Sequence, residues 1–91
     1  MPQVKGTFQI VNKLGMHARA AAVFVQLASR YTANIQVRKH GQMASGKSIM
    51  GVLQLATVQG ESIEILADGE DGAEALQTLG ELIADRFGEE E

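Results

Sequence analysis

The sequence predicts an α/β (α+β) open-faced sandwich with the element order β-α-β-β-α-β-α, a four-stranded antiparallel sheet carrying three helices on one face. Two observations carry this. The strand-like segments alternate apolar and polar residues, so each offers one apolar side, and the helix-like segments repeat apolar residues at three- and four-residue spacing. Helices laid over the apolar side, with the other side solvated, are the economical packing of such elements. The pattern does not specify the strand order. At 91 residues and 45% hydrophobic composition the chain suffices for one domain with a real core and is too short for two. The domain is expected over 1–88, with an acidic tail, 89–91, beyond it.

The first strand is expected over Val4 to Val11, with Val4, Phe8 and Ile10 inward and Lys5, Thr7 and Gln9 outward. Asn12-Lys13-Leu14-Gly15 reads as a loop ending in a turn. From Ala18 to Arg30, Ala21, Phe24, Val25 and Ala28 recur at helical spacing, and the alanines favour helix. Ile35, Val37 and Lys39 alternate with Gln36, Arg38 and His40 as a second strand. Gly41 marks a hairpin turn, with His40 a solvated turn residue, and a short strand follows around Gln42 to Ala44. Ser48 to Leu55 reads as a short helix with Ser48 as N-cap and Ile49, Val52 and Leu53 inward. Ser62 to Ala67 is the fourth strand, burying Ile63 and Ile65. Asp68-Gly69-Glu70-Asp71 suits a helix entrance, and the last helix runs to about Phe87 with a stripe of Ala73, Leu76, Leu79, Ile83 and Phe87. Gly88 ends it, and the glutamates beyond are expected to fray.

Composition excludes several function classes. With no cysteine there is neither a disulfide framework nor a thiolate metal site, and no metal centre is expected. No signal peptide or membrane span is visible, so a cytoplasmic monomer without membrane insertion is expected. A net charge of −3, no Trp and a single Tyr argue against nucleic acid as a partner, leaving other proteins.

Gly15-Met16-His17-Ala18-Arg19 is the segment richest in chemistry. It sets a histidine and an arginine two apart where a polar loop enters a helix-patterned run. A helix start has N–H groups without intrahelical partners and a partial positive charge, which makes it an anion site. An isolated histidine at a helix entrance is usually just a surface residue; here the neighbouring guanidinium suits it to carrying a phosphoryl group.

Val11-Asn12-Lys13-Leu14-Gly15-Met16-His17-Ala18-Arg19 resembles the active-centre motif of HPr, the histidine phosphocarrier family of the bacterial phosphotransferase system. The similarity continues through Phe24-Val25-Gln26-Leu27-Ala28-Ser29. Lys47-Ser48-Ile49-Met50-Gly51-Val52-Leu53 separately resembles the family's regulatory serine segment. The resemblance implies that His17 takes a phosphoryl group on Nδ1 from enzyme I and passes it to enzyme IIA components. Arg19 and the N–H groups of Ala18 and Arg19 would stabilise the phosphate. No cofactor is implied, and the protein is a carrier rather than a free-standing enzyme. Ser48 would be the substrate of HPr kinase/phosphorylase, beside its plain reading as an N-cap. Met16, Lys47, Ile49 and Met50 are candidates for partner docking, with Leu14 and Leu53; for Leu53 core packing is the simpler reading, and Met16 and Met50 are expected to be exposed.

One position departs from the family: Ala20 stands where the motif has proline. Alanine restores an N–H at the helix start and loosens the unfolded chain. Ser45 reads as a local turn or capping residue, and Lys13, Lys39 and Lys47 as scattered solubilising charges. The alternatives are a purely regulatory HPr-like protein, of nitrogen-branch or catabolite-repression type, and a small-molecule-binding sandwich. The first generally lacks either the histidine or the serine segment present here, and the second has no evident glycine-rich ligand loop.

Overall fold

The computed structural model describes residues 3–91. β1 (Gln3–Gln9) leads to α1 (Ala18–Ala28), followed by β2 (Asn34–Lys39), β3 (Gln42–Ser45), α2 (Ile49–Gln54), β4 (Ser62–Asp68) and α3 (Gly72–Ala84). The sheet is antiparallel throughout, in the order β1-β4-β2-β3. Gly6 and Val37 both face Ile65 across the ladder, and Val4 and Ile35 both face Ala67, which assembles one apolar sheet face. Against it pack Phe24 of α1, Val52 of α2, and Leu79 and Ile83 of α3. On the other face Arg38 pairs with Glu64, its cross-strand neighbour. The open-faced sandwich is as the sequence predicts. Among the described residues no helix is long and apolar enough to cross a membrane.

The connections follow from local chemistry. His40 and Gly41 both have positive φ, 50° and 81°, and join Lys39 to its ladder partner Gln42, the two-residue reversal that matches strand twist. The Ser45 hydroxyl accepts from the Lys47 N–H at 3.1 Å, the local turn bond expected of it. Lys39 is no free surface charge: its Nζ donates to the carbonyls of Leu55 and Ala56 at the end of α2 and pairs with Glu61 at 2.8 Å. A cation there satisfies carbonyls that the helix leaves without partners.

Several expectations are corrected. β1 ends at Gln9, and Ile10 continues inward from an irregular segment bonded to Gly60 and Glu61. α1 stops two residues early, at Ala28. In α3 the buried stripe is Gly72, Ala75, Leu79 and Ile83; Ala73 is one position off this face and stays exposed. Ile49, expected inward, is 41% exposed, because it is the first residue of a helix only six residues long whose inward anchor is Val52.

The largest departure lies at the C-terminal end. α3 stops at Ala84, and Arg86, Phe87 and Gly88 have φ of 58°, 55° and 82°. Consecutive left-handed residues are costly for side chains with a Cβ. Here they tuck Phe87 into the core between α1 and α3 and send the chain back across the sandwich. The tail is not frayed as expected: Glu89 lies against the loop between β1 and α1.

Candidate functional site

Four backbone hydrogen bonds shape the entrance of α1. Gly15 N–H reaches the Asn12 carbonyl, His17 N–H the Gly15 carbonyl, Met16 N–H the Thr57 carbonyl, and Ala21 N–H the His17 carbonyl at 2.9 Å. Gly15 adopts φ +69°, and a Cβ there would lie 2.7 Å from the Thr57 carbonyl oxygen, so glycine is required both for conformation and for space. His17 is the N-cap residue, in extended backbone, and its side chain makes no capping bond. The N–H groups of Ala18, Arg19 and Ala20 have no acceptor among the described residues. The alanine at position 20 therefore does contribute an additional unpaired donor, while its methyl group is buried.

The His17 ring is half-buried and faces a groove of about 330 Å³ lined by Lys13, Leu14, Arg19 and the tail glutamates. Its Nε2 is bonded to the Glu89 carboxylate. Glu89 also accepts from the side-chain amide of Asn12 at 3.0 Å, and the same Asn12 amide donates to the Gly15 carbonyl at 2.8 Å. Asn12 is fully buried and its Oδ1 has no partner. The reverse orientation of the amide would set that oxygen against two acceptors, which fixes the NH2 group where it stands. The bonds from His17 and Asn12, with the Arg19 charge nearby, hold the Glu89 carboxyl below its usual pKa against the opposing effect of burial. An ionised carboxylate only accepts, so the proton of this contact is on Nε2, while Nδ1 has no partner among the described residues. The Arg19 side chain is exposed and makes no hydrogen bond or ion pair among the described residues, so its guanidinium is available to an anion in the groove.

A ring nitrogen, three free N–H donors and an exposed guanidinium around one groove are the groups that an oxyanion would need. A family model described as "PTS HPr component phosphorylation site" matches residues 4–85. The chain belongs to the HPr family. It is 46% identical over 88 residues to the phosphocarrier protein HPr of Neisseria meningitidis serogroup A, spanning 97% of this chain and 99% of that protein. The crystal structure of HPr-C-His from Thermoanaerobacter tengcongensis superposes with a TM-score of 0.91 at 44% identity, over the full length of both chains. The HPr-like protein Crh of Bacillus subtilis is 45% identical over 67 residues, 74% of this chain and 79% of Crh. HPr proteins are phosphocarriers of the phosphotransferase system, carriers rather than catalysts.

Of the residues singled out from the sequence, His17, Ala18 and Arg19 sit together at the α1 entrance. The HPr-like serine segment is elsewhere. Lys47 Nζ donates to the Tyr31 carbonyl at 2.6 Å, just past the far end of α1, roughly 16 Å along a helix of eleven residues. Ser48 caps α2, its hydroxyl accepting from the Gly51 N–H at 3.1 Å. Ile49 and Met50 are exposed beside it, and Leu14 is exposed at the groove.

Met16 is a correction: it is 5% exposed and belongs to the core, because the left-handed turn at Gly15 directs Leu14 outward and Met16 inward. Two residues of the site escaped sequence reasoning, Asn12 and Glu89. Asn12 lay within the motif but reads as an ordinary turn residue, and Glu89 is one of three identical tail residues with no local signal to select it.

Proposed function

We propose that this HPr-family chain relays a phosphoryl group through His17. The observation that carries the reading is a half-buried histidine whose Nδ1 has no partner among the described residues, at a helix entrance with unpaired N–H groups and Arg19 alongside. The phosphorylated histidine of enzyme I is the donor. The Nδ1 lone pair forms the new N–P bond while the donor's N–P bond breaks and its electron pair returns to the donor nitrogen. The Ala18 and Arg19 N–H groups and the Arg19 guanidinium stabilise the charge on the phosphoryl oxygens. Transfer to an enzyme IIA component reverses these steps. A histidine serves because its phosphoramidate is readily transferred, whereas a serine phosphate is too stable to relay.

Ser48 is the proposed regulatory site, a substrate for an HPr kinase/phosphorylase. A phosphate adds about −1.5 to −2 charges at pH 7 and is tolerated at a helix N-cap. Ser48 does not line the His17 groove, so a phosphate there acts on the docking of acidic partner surfaces rather than on the ring. Exposed Leu14, Ile49, Met50 and Lys47 are the proposed docking residues, and the relay works as a cytoplasmic monomer.

The test is incubation with phosphoenolpyruvate and cognate enzyme I. The expected result is a mass gain of one phosphoryl group that is acid-labile, base-stable and absent from His17→Ala. No gain with the native chain refutes the relay and favours a regulatory role through protein binding alone.

A further inference from the structure

Lys39, the last residue of β2, is only 11% exposed, and its three N–H donors meet three acceptors. These are the Leu55 and Ala56 carbonyls, at 3.1 and 3.0 Å, and the Glu61 carboxylate at 2.8 Å. The same Glu61 oxygen accepts from the Val58 N–H at 2.9 Å, and the two bonds hold its carboxyl below the usual pKa. Ala56 has φ 49°, a left-handed conformation that a residue with a Cβ keeps only where its surroundings enforce it. Residues 55–61 are therefore a turn closed by one buried cation. The approach to His17 is built on this turn. Ile10 N–H donates to the Glu61 carbonyl and Gly60 N–H to the Ile10 carbonyl, both at 2.8 Å, and Gln59 Nε2 donates to the Val11 carbonyl at 3.1 Å. Met16 N–H, one residue before the α1 cap, donates to the Thr57 carbonyl at 3.0 Å.

We propose that Lys39 is a positioning residue for the His17 site: its ammonium fixes the 55–61 turn, and the turn sets where the histidine loop lies. The inference rests on the relay assigned to His17 above. Lys39 does not line the His17 groove, so it acts through the backbone. Three successive carbonyls carry the effect. Lys39 holds those of Leu55 and Ala56, which leaves the next, that of Thr57, directed at the Met16 N–H. Without the ammonium, two carbonyls at the end of α2 lose this donor and Glu61 loses its counter-charge. Ala56 is then free to leave its left-handed conformation, and the Thr57 carbonyl turns away from Met16. The ring nitrogen of His17 and the N–H groups of α1 must meet one phosphoryl group together, so a displaced loop slows transfer. Docking is less affected, because Lys47, Ile49 and Met50 lie outside this loop.

The opposing reading gives Lys39 a purely structural role, closing α2 and its turn. Lys39→Met keeps the aliphatic stem, removes the charge and separates the two. Its phosphorylation by phospho-enzyme I at saturating carrier should slow about ten-fold, while the half-saturating carrier concentration stays within about two-fold of native. Hydrogen exchange at the Met16 amide should accelerate about ten-fold as its acceptor moves. Glu61→Gln keeps an acceptor for Lys39 and for the Val58 N–H but no charge, so both effects should be smaller; it also carries the test if Lys39→Met does not fold. Asp71→Asn is the control for lost stability, since its carboxylate bonds to Thr32 and Ala33; it should keep the native rate and the native Met16 exchange. A Lys39→Met chain that loses stability to urea yet keeps both native values overturns the proposal. So does a slower rate with native Met16 exchange. If the native chain takes up no phosphoryl group, the relay fails, while Met16 exchange still decides whether Lys39 holds the histidine loop.

Discussion

Gly15→Ala is the substitution for which the structure makes the sharpest demand. Two costs add. At φ +69° a Cβ is in the left-handed region, worth about 1–2 kcal/mol for an L-residue. The same Cβ would sit 2.7 Å from the Thr57 carbonyl oxygen and 3.0 Å from the Val58 Cα, both backbone atoms that cannot step aside cheaply. Displacing backbone for an added methyl costs about 1–3 kcal/mol. The total is about 2–5 kcal/mol, and in a domain of this size each kcal/mol lowers Tm by about 4–8 °C. Gly41→Ala is the matched control: its φ is +81°, but a Cβ there meets nothing within 4 Å. It should cost about 1–2 kcal/mol only. Urea unfolding of both variants, fitted with the native m-value, isolates the contact. The Gly15 variant should also accept phosphoryl groups more slowly, since the Gly15 carbonyl holds both the His17 N–H and the Asn12 amide. Equal destabilisation by the two alanines would sink the claim that close contact with residues 57–58 seats the histidine loop.

Three further outcomes follow from individual contacts. Ala20→Pro removes an N–H that has no acceptor and restricts the unfolded chain, so stability to urea should rise by about 0.4–1 kcal/mol; a fall would mean the ring does not fit at this buried position. Ser48→Ala removes the cap bond to the Gly51 N–H and should cost about 1 kcal/mol by the same measurement, with no loss indicating that α2 is held by Val52 and Leu55 alone. Asp71 accepts from the Thr32 and Ala33 N–H groups, which hold its carboxyl below the usual 3.8. A folded pKa below the unfolded one stabilises above the unfolded value and loses that contribution as pH falls through the folded one. Asp71→Asn should therefore flatten the loss of stability on acidification below about pH 3.8, and an unchanged acid limb would contradict it.

Wherever a few neighbouring residues decide a feature, the sequence was readable. Alternation in 35–39 and 62–67 marked the strands, Ser48 marked the start of α2, and the run from Ala18 marked the start of α1, because strand periodicity, capping and helix propensity act within a turn or two of chain. Whether Met16 pointed in or out was not readable, since that depends on Gly15 pressing against residues 57–58. Nor was the fate of Ile49, where the helix period allows burial and only the position at the start of a short helix denies it.

The histidine, its neighbouring arginine and the helix start that serves them were determined by the sequence alone. The strand order β1-β4-β2-β3 and the chemistry of the ring's second nitrogen were decided only by the tertiary structure. His17 and Glu89 are 72 positions apart, joined through a left-handed reversal after α3 and a buried asparagine that bridges them to the loop. Periodicity and propensity act over a few residues and carry no information about such a contact. It exists because burying Phe87 against α1 and α3 turns the tail back toward the α1 entrance, where the Asn12 NH2 group and an imidazole both meet the carboxylate.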